Sequence, residues 1–215
     1  MAKGNVRGDG DARGEETRRR IVEAAVETLK SEGFAGASAR AIGRTGDFNP
    51  ALIFYHYGSV NDLLLAALDH TSGERMARYE QAVAGAATLP DLIGVAAEIY
   101  REDLESGHIT VLAEMIAGAS AVPDLGPEII ARVQPWTEFA ERTIARVLAT
   151  SPFGAFVPVQ DAAYAVVAVY LGIELMTHLE GDRSRAERLF QLVGSLSPFL
   201  EVLAPSPAPR RGRKR

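Results

Sequence analysis

Cysteine is absent from the 215-residue sequence, which removes disulfides, thiolate metal sites and cysteine nucleophiles at a stroke. Long uncharged apolar runs are missing too. The longest, Ala162 to Ile173, is closed by Asp161 and Glu174, which makes it too short for a bilayer and suited to a buried helix. No membrane partner is expected. The first sixteen positions hold charge and glycine instead of a signal-type apolar stretch, so a cytoplasmic protein is expected. Catalytic signatures are lacking: there is no G-x-S-x-G, no P-loop and no H-E-x-x-H, and Gly8-x-Gly10 follows no strand. Glu174 and His178 stand four apart, half of a metal site, with no third ligand in view. Neither an enzyme nor a cofactor or metal is expected.

What is present is an apolar fraction of 47%, enough for a sizeable core, and an uneven distribution of charge. The net charge is −5. Residues 1–57 carry nine basic and eight acidic side chains, residues 58–209 nine basic and twenty acidic, and Arg210 to Arg215 five basic ones. The acidic body keeps the protein soluble and repels polyanions, so any binding to DNA needs a locally positive face near the N-terminus.

Only helix is legible along the chain; alternating strand patterns, hairpin signals and internal repeats are absent. Residues 1–14 are polar, Gly-rich and aperiodic, and a disordered arm is expected. A first helix is expected from Glu15-Glu16-Thr17, with Val22, Ala25, Val26 and Leu29 as its apolar stripe, ending at Gly33 with Phe34 folded back. Ser38 is placed to cap a second helix. Asn49 and Pro50 open a third, which runs into Phe54-Tyr55-His56-Tyr57 and stops at Gly58-Ser59. Ile42, Phe48, Leu52 and Ile53 are expected in the core. Two short helices about the turn Gly46-Asp47-Phe48 form a helix-turn-helix pattern, in which one helix braces and the next enters the major groove.

This pattern and the aromatic run before Gly58-Ser59 and Asp62-Leu63-Leu64 resemble the TetR family of bacterial repressors, over about residues 17–65. The chain departs from the usual members in having Gly46-Asp47 for Ala-Gly, Val60 for a Lys after Gly-Ser, and Gly43 for Ala, the last at some expected loss of helix stability. Thr17 and Ser38 are candidate phosphate contacts through hydroxyls and helix N-termini. Arg40 and Arg44 share a helix face and can reach phosphate or guanine. Asn49, Pro50, Ala51 and Phe54 lie where a recognition helix meets bases, with Asn49 either reading adenine or capping its helix, and with Phe54, like Tyr57, equally open to packing. Tyr55 and His56 are candidate phosphate donors. Arg18, Arg19 and Arg20 point in different directions and can steer the domain or solvate it.

Downstream, helices are expected from Leu89, over Ile109 to Ile116, through a kink at Pro135, and over about Val159–Glu180 and Ser184–Leu203. The resulting architecture is all-α. It comprises a helix-turn-helix DNA-binding domain over residues 15–58, a helical ligand-binding and dimerisation domain over 59–204, and a disordered basic tail over 205–215. The resemblance implies an unidentified small-molecule effector, a homodimer and a double-stranded DNA operator. The small, apolar surface after Val159 agrees with close helix packing in a dimer. Tyr100, His108, Glu114, Met115, Trp136, Phe139 and His178 are the candidate ligand contacts, polar or aromatic residues on otherwise apolar faces. The competing reading is a helical small-molecule carrier without specific DNA binding.

Overall fold

The computed structural model describes residues 6–106, 108–149 and 154–202, and nothing among them is strand. In chain order the helices are α1 (Val6–Gly36), α2 (Ala39–Thr45), α3 (Ala51–Tyr57), α4 (Val60–Val83), α5 (Leu89–Ser106), α6 (His108–Ala119), α7 (Leu125–Leu148), α8 (Val159–Glu180) and α9 (Ser184–Val202), with a 3₁₀ turn at Gly154–Phe156 before α8. The expected tail falls outside the described residues, as do positions 1–5 of the expected arm. The rest of the arm is corrected: residues 6–14 are the first turns of α1, which starts well before Glu15. A helix nucleated by the buried row Ile21, Ala25 and Leu29 extends backwards without a new nucleation step, although Gly8, Gly10 and Gly14 each cost it about 1 kcal/mol relative to alanine.

The chain divides into two compact units, Met1–Ala77 with Ser106–Arg132, and Arg78–Glu105 with Val133–Arg215. This is a different division from the expected one at residue 58, because α6 packs on α1. At Gly33, φ is +69° and ψ 178°, so α1 is broken there as its sequence predicts. The Phe34 N–H freed by the break donates to the Glu114 carboxylate at 2.8 Å. The Phe34 ring lies against Gly118, where an added β-carbon would approach three ring atoms to 2.5 Å. Ile42, Ile53, Leu63, Val111 and Met115 are fully buried in this unit. Phe48 and Leu52, expected in the core, are only half-buried.

The second unit holds a polar network within its apolar interior. Asp103, buried, accepts from the hydroxyls of Tyr79 and, at 2.9 Å, Tyr170. Tyr100, fully buried, pairs with the Thr177 hydroxyl at 2.7 Å. Arg146 donates to the carbonyls of Val83 and Ala86, both at 2.7 Å, and so closes the C-terminal end of α4. α7 continues through Pro135 without a break. At 22 residues α8 is long and apolar enough to cross a membrane, although its longest uncharged run is not. Its inward face carries Glu174 and Thr177, while Tyr164, Val166, Val169, Met176 and Leu179 lie exposed on the outside.

Two helix starts depend on ionised carboxylates. At α5, Asp91 accepts from the N–H groups of Thr88 (2.9 Å) and Ala87 (3.0 Å), while its own N–H donates to the Thr88 hydroxyl (3.2 Å). At α9, Asp182 accepts from the N–H and hydroxyl of Ser184. The Thr88 side chain foremost, then the Ala87 and Thr88 N–H groups, hold the Asp91 carboxyl below the ordinary aspartate range, and the Ser184 N–H foremost, then its hydroxyl, does the same for Asp182. A depressed folded-state pKa contributes stability that is complete above the unfolded value, near 4, and is lost as pH falls through the lower folded value. The thermal midpoint should therefore fall below about pH 4, and Asp91→Asn should flatten that limb while leaving the curve above pH 6 parallel to the wild type. An unchanged acid limb would show that Asp91 does not contribute to it.

Candidate nucleic-acid interface

The turn between α2 and α3 is built from short-range constraints. Ser38 caps α2, its hydroxyl accepting the Ala41 N–H at 3.2 Å. After α2 the Gly46 N–H returns to Ile42 and Arg44 carbonyls, and the Phe48 N–H donates to the Gly43 carbonyl at 3.0 Å. Between them Asp47 sits at φ +51°, a left-handed conformation that glycine adopts more readily. The Asn49 carboxamide oxygen accepts the Ala51 N–H at 2.9 Å, so Asn49 is the cap of α3, and Pro50 follows in helical conformation at φ −54°. Of the two roles open to Asn49, the structure displays the cap.

On α3 the burial pattern separates two faces. Ile53 is buried and Leu52 half-buried, while Ala51, Phe54 and Tyr55 are exposed. Positions 51, 54 and 55 are spaced as one helical face. Phe54 is 54% and Tyr55 81% exposed, so two large aromatics present much of their surface to solvent. His56, half-buried, meets the Tyr55 ring edge-on at 4.9 Å. Tyr57 belongs to the scaffold: its hydroxyl donates to the Arg18 carbonyl at 3.0 Å, and burial foremost pushes its pKa up.

Beside this face, Arg40, Gly43, Arg44, Asp47, Phe48, Asn49 and Pro50 line a groove of about 440 Å³. Both arginines are exposed, and Arg44 is held by Glu32 of α1 at 2.7 Å. Arg20 of α1 donates to the Gly46 carbonyl at 3.3 Å and so ties the turn to α1. Arg18 and Arg19 are occupied by neighbours on their own helix, Glu15 for the first and Glu16 with Glu23 for the second. A second groove in the same unit, about 500 Å³, is lined by Asp62, Asp69, Asp124 and Glu128 with Arg132. Its acidity opposes phosphate, whereas the groove beside α3 carries Arg40 and Arg44 with Asp47 as the one carboxylate in its lining.

Thr17 is the one DNA-contact candidate whose position differs from expectation. It lies inside α1, not at its start, and its hydroxyl donates back to the Arg13 carbonyl at 2.8 Å. There it has no helix N-terminus behind it. Sequence reasoning missed the roles of Glu32 and of Arg20 in fixing the turn. Both lie on α1, 12 and 26 residues before their partners, and no local spacing rule announces such a pair.

The candidate ligand contacts fall into different units. His108 and Met115 are buried on α6 in the first unit, and Glu114 beside them is engaged with Phe34. Tyr100, Trp136, Phe139 and His178 belong to the second unit. There Trp136 meets the Tyr79 ring edge-on at 5.2 Å, and Tyr100 tilts against Phe190 at 5.2 Å. Phe139 is half-buried and His178 exposed. No group of three or more metal-ligating side chains occurs among the described residues.

Residues 21–67 match the family model of bacterial regulatory proteins of the tetR family. No match was found among curated proteins. Among solved structures, a TetR-family member from Streptomyces coelicolor A3 is 26% identical, with a TM-score of 0.61 and 81% of this chain and 95% of that one covered. A structure from Rhodococcus sp., described as a TetR-family transcriptional regulator, has a TM-score of 0.72 at 17% identity and covers 85% of this chain and 98% of that chain. Another, a transcriptional regulator from Saccharomonospora viridis in complex with choline, has a TM-score of 0.67 at 18% identity, with 88% and 98% covered. Residues 21–67 thus belong to the TetR family of bacterial transcriptional regulators, and the chain around them has the fold of that family's structures.

Proposed function

We propose that the protein is a ligand-controlled transcriptional repressor of the cytoplasm, binding a palindromic operator as a homodimer and leaving it when a small molecule binds. The observation that carries this reading is the exposed face Ala51, Phe54 and Tyr55 on α3, adjoining Arg40 and Arg44. Ala51 suits contact with a thymine methyl, and the Tyr55 hydroxyl and His56 imidazole suit phosphate oxygens. Arg40 and Arg44 supply charge to an otherwise acidic chain. Two recognition helices are needed to occupy successive major grooves, which requires a dimer. The exposed apolar side chains of α8, with Leu189, Leu192, Val193 and Leu196 of α9, are the natural surface for it. The choline held by the Saccharomonospora viridis structure supports a small organic effector here.

Release by effector is a population shift. The effector must favour a conformation in which the two recognition helices no longer fit one DNA face, and turning a bound population into a free one needs about 5.5 kcal/mol of differential binding. Tyr100, His108, Glu114, Met115, Trp136, Phe139 and His178 remain the residues to substitute first in tests of effector binding.

The test is selection of a duplex from a randomised library, followed by fluorescence anisotropy on the enriched sequence. An inverted repeat saturating at two chains per site is expected. Tyr55→Ala should weaken it about tenfold, the loss of one contact of roughly 1–3 kcal/mol. Selection that enriches no sequence would overturn the reading in favour of a helical carrier.

A further inference from the structure

We infer that Gly43, on α2, is a positioning residue for DNA recognition: its bare Cα is the seat on which Pro50 fixes the start of the recognition helix. The inference rests on the DNA-binding reading above. As a residue inside a helix, Gly43 looks unfavourable, since alanine supports helix better. The structure supplies the reason for it. A β-carbon on Gly43 would lie 2.8 Å from Pro50 Cγ, 3.2 Å from Pro50 Cδ and 2.9 Å from the Phe48 carbonyl oxygen. The first and last of these are closer than side-chain carbons come to such atoms, so a methyl group must push the turn away from α2.

Little else in the turn can absorb that push. The Phe48 N–H is bonded to the Gly43 carbonyl itself at 3.0 Å. A β-carbon on Gly46 would run into the Phe48 ring and come within 2.8 Å of Ala24 Cβ, so the ring already lies close over Gly46. Pro50 has its φ fixed by its own ring and stands one residue before Ala51, the first exposed position of α3. Displacement of Pro50 therefore moves the exposed face of α3 relative to Arg40 and Arg44, which stay with α2. The distance between the base-facing side chains and the phosphate-facing arginines is thus set at one glycine. Phosphate contacts are tolerant of such a shift and base contacts are not. The consequence is a loss of specificity, not of DNA binding as such.

The experiment compares the wild type with Gly43→Ala, Pro50→Ala and the double variant. Each is measured by anisotropy on the selected duplex and on a scrambled one, with circular dichroism melts to confirm folding. Gly43→Ala should lose about tenfold on the selected duplex, the scale of one displaced base contact, with scrambled binding within twofold of wild type. Pro50→Ala in the Gly43→Ala background removes two of the three close approaches, so the double variant should regain at least threefold of that loss. The two substitutions then fail to add, as coupled neighbours do. Equal losses on both duplexes, undiminished selected binding by Gly43→Ala, or a double variant no better than Gly43→Ala would each overturn the inference. Should Gly43→Ala not fold, the double variant decides: with the Pro50 ring gone it must fold and prefer the selected duplex, and a double variant that is also unfolded or shows no preference is fatal to the idea. A wild type that prefers no duplex would instead refute the DNA-binding reading, and this inference with it.

Discussion

Gly118→Ala should lower the stability of the protein by about 2 kcal/mol, although it places the best helix former inside a helix. The added methyl group meets the Phe34 ring at 2.5 Å on three of its atoms, and a ring is a rigid obstacle. The backbone at Phe34 is held. Its N–H is held by Glu114 at 2.8 Å, and the preceding residue, Gly33, is fixed in a left-handed conformation with the Glu114 carboxylate against it. Overpacking of a held side chain forces a backbone shift. At roughly 2–4 °C per kcal/mol for a chain of this size, the thermal midpoint should fall by about 4–8 °C. Phe34→Leu in the same background should relieve part of the penalty, so the double variant is less destabilised than the sum of the singles. A midpoint equal to or above that of the wild type would show that the ring moves freely and that α1 and α6 are not locked at this point.

The same joint explains where sequence reading succeeded and where it did not. The break at Gly33 and the fold-back of Phe34 were legible, because a glycine followed by an apolar residue is a local signal. The acceptor for Phe34, Glu114, lies eighty residues on, and in the sequence it was read as a ligand contact. α3 divides in the same way. Its opening at Asn49-Pro50 and its end at Gly58 were plain from residue type, and so was the helix-turn-helix itself. Which of its aromatics face outward was not, since Phe54, Tyr55 and Tyr57 have similar chemistry. Tyr57 is taken into the scaffold by the Arg18 carbonyl, a partner thirty-nine residues earlier in the chain, while Phe54 and Tyr55 are left exposed. The early start of α1 escaped because glycine and charge at residues 6–14 argue against a helix locally, whereas the buried row from Ile21 onward supplies the nucleus. Gly43 was visible as an oddity, but its explanation needs Pro50 and the Phe48 carbonyl in three dimensions.

Asp47→Gly is expected to make the protein both more stable and a tighter binder of DNA. Two separate costs meet at this residue. Its φ of +51° lies in a region that L-residues avoid, at a cost of about 1 kcal/mol, less for aspartate than for most. Its carboxylate also stands in the groove shared by Arg40, Arg44 and Asn49, beside the face we assign to DNA, where a negative charge opposes phosphate. Glycine removes both costs. The folded state should gain up to about 1 kcal/mol, and affinity at 0.1 M salt should rise about fivefold, with a steeper fall as salt is added because one more net cation faces the backbone. Asp47→Asn separates the two terms. Asparagine tolerates the left-handed region about as well as aspartate and carries no charge, so it should reproduce the gain in affinity with little gain in stability. Anisotropy across a salt series and a thermal melt on each variant read the two terms independently. An Asn variant that binds no tighter than the wild type would place the carboxylate away from phosphate and leave only the backbone term. A Gly variant that binds more weakly than Asn would show something further: that the left-handed turn needs a side chain to hold α3 at its working angle.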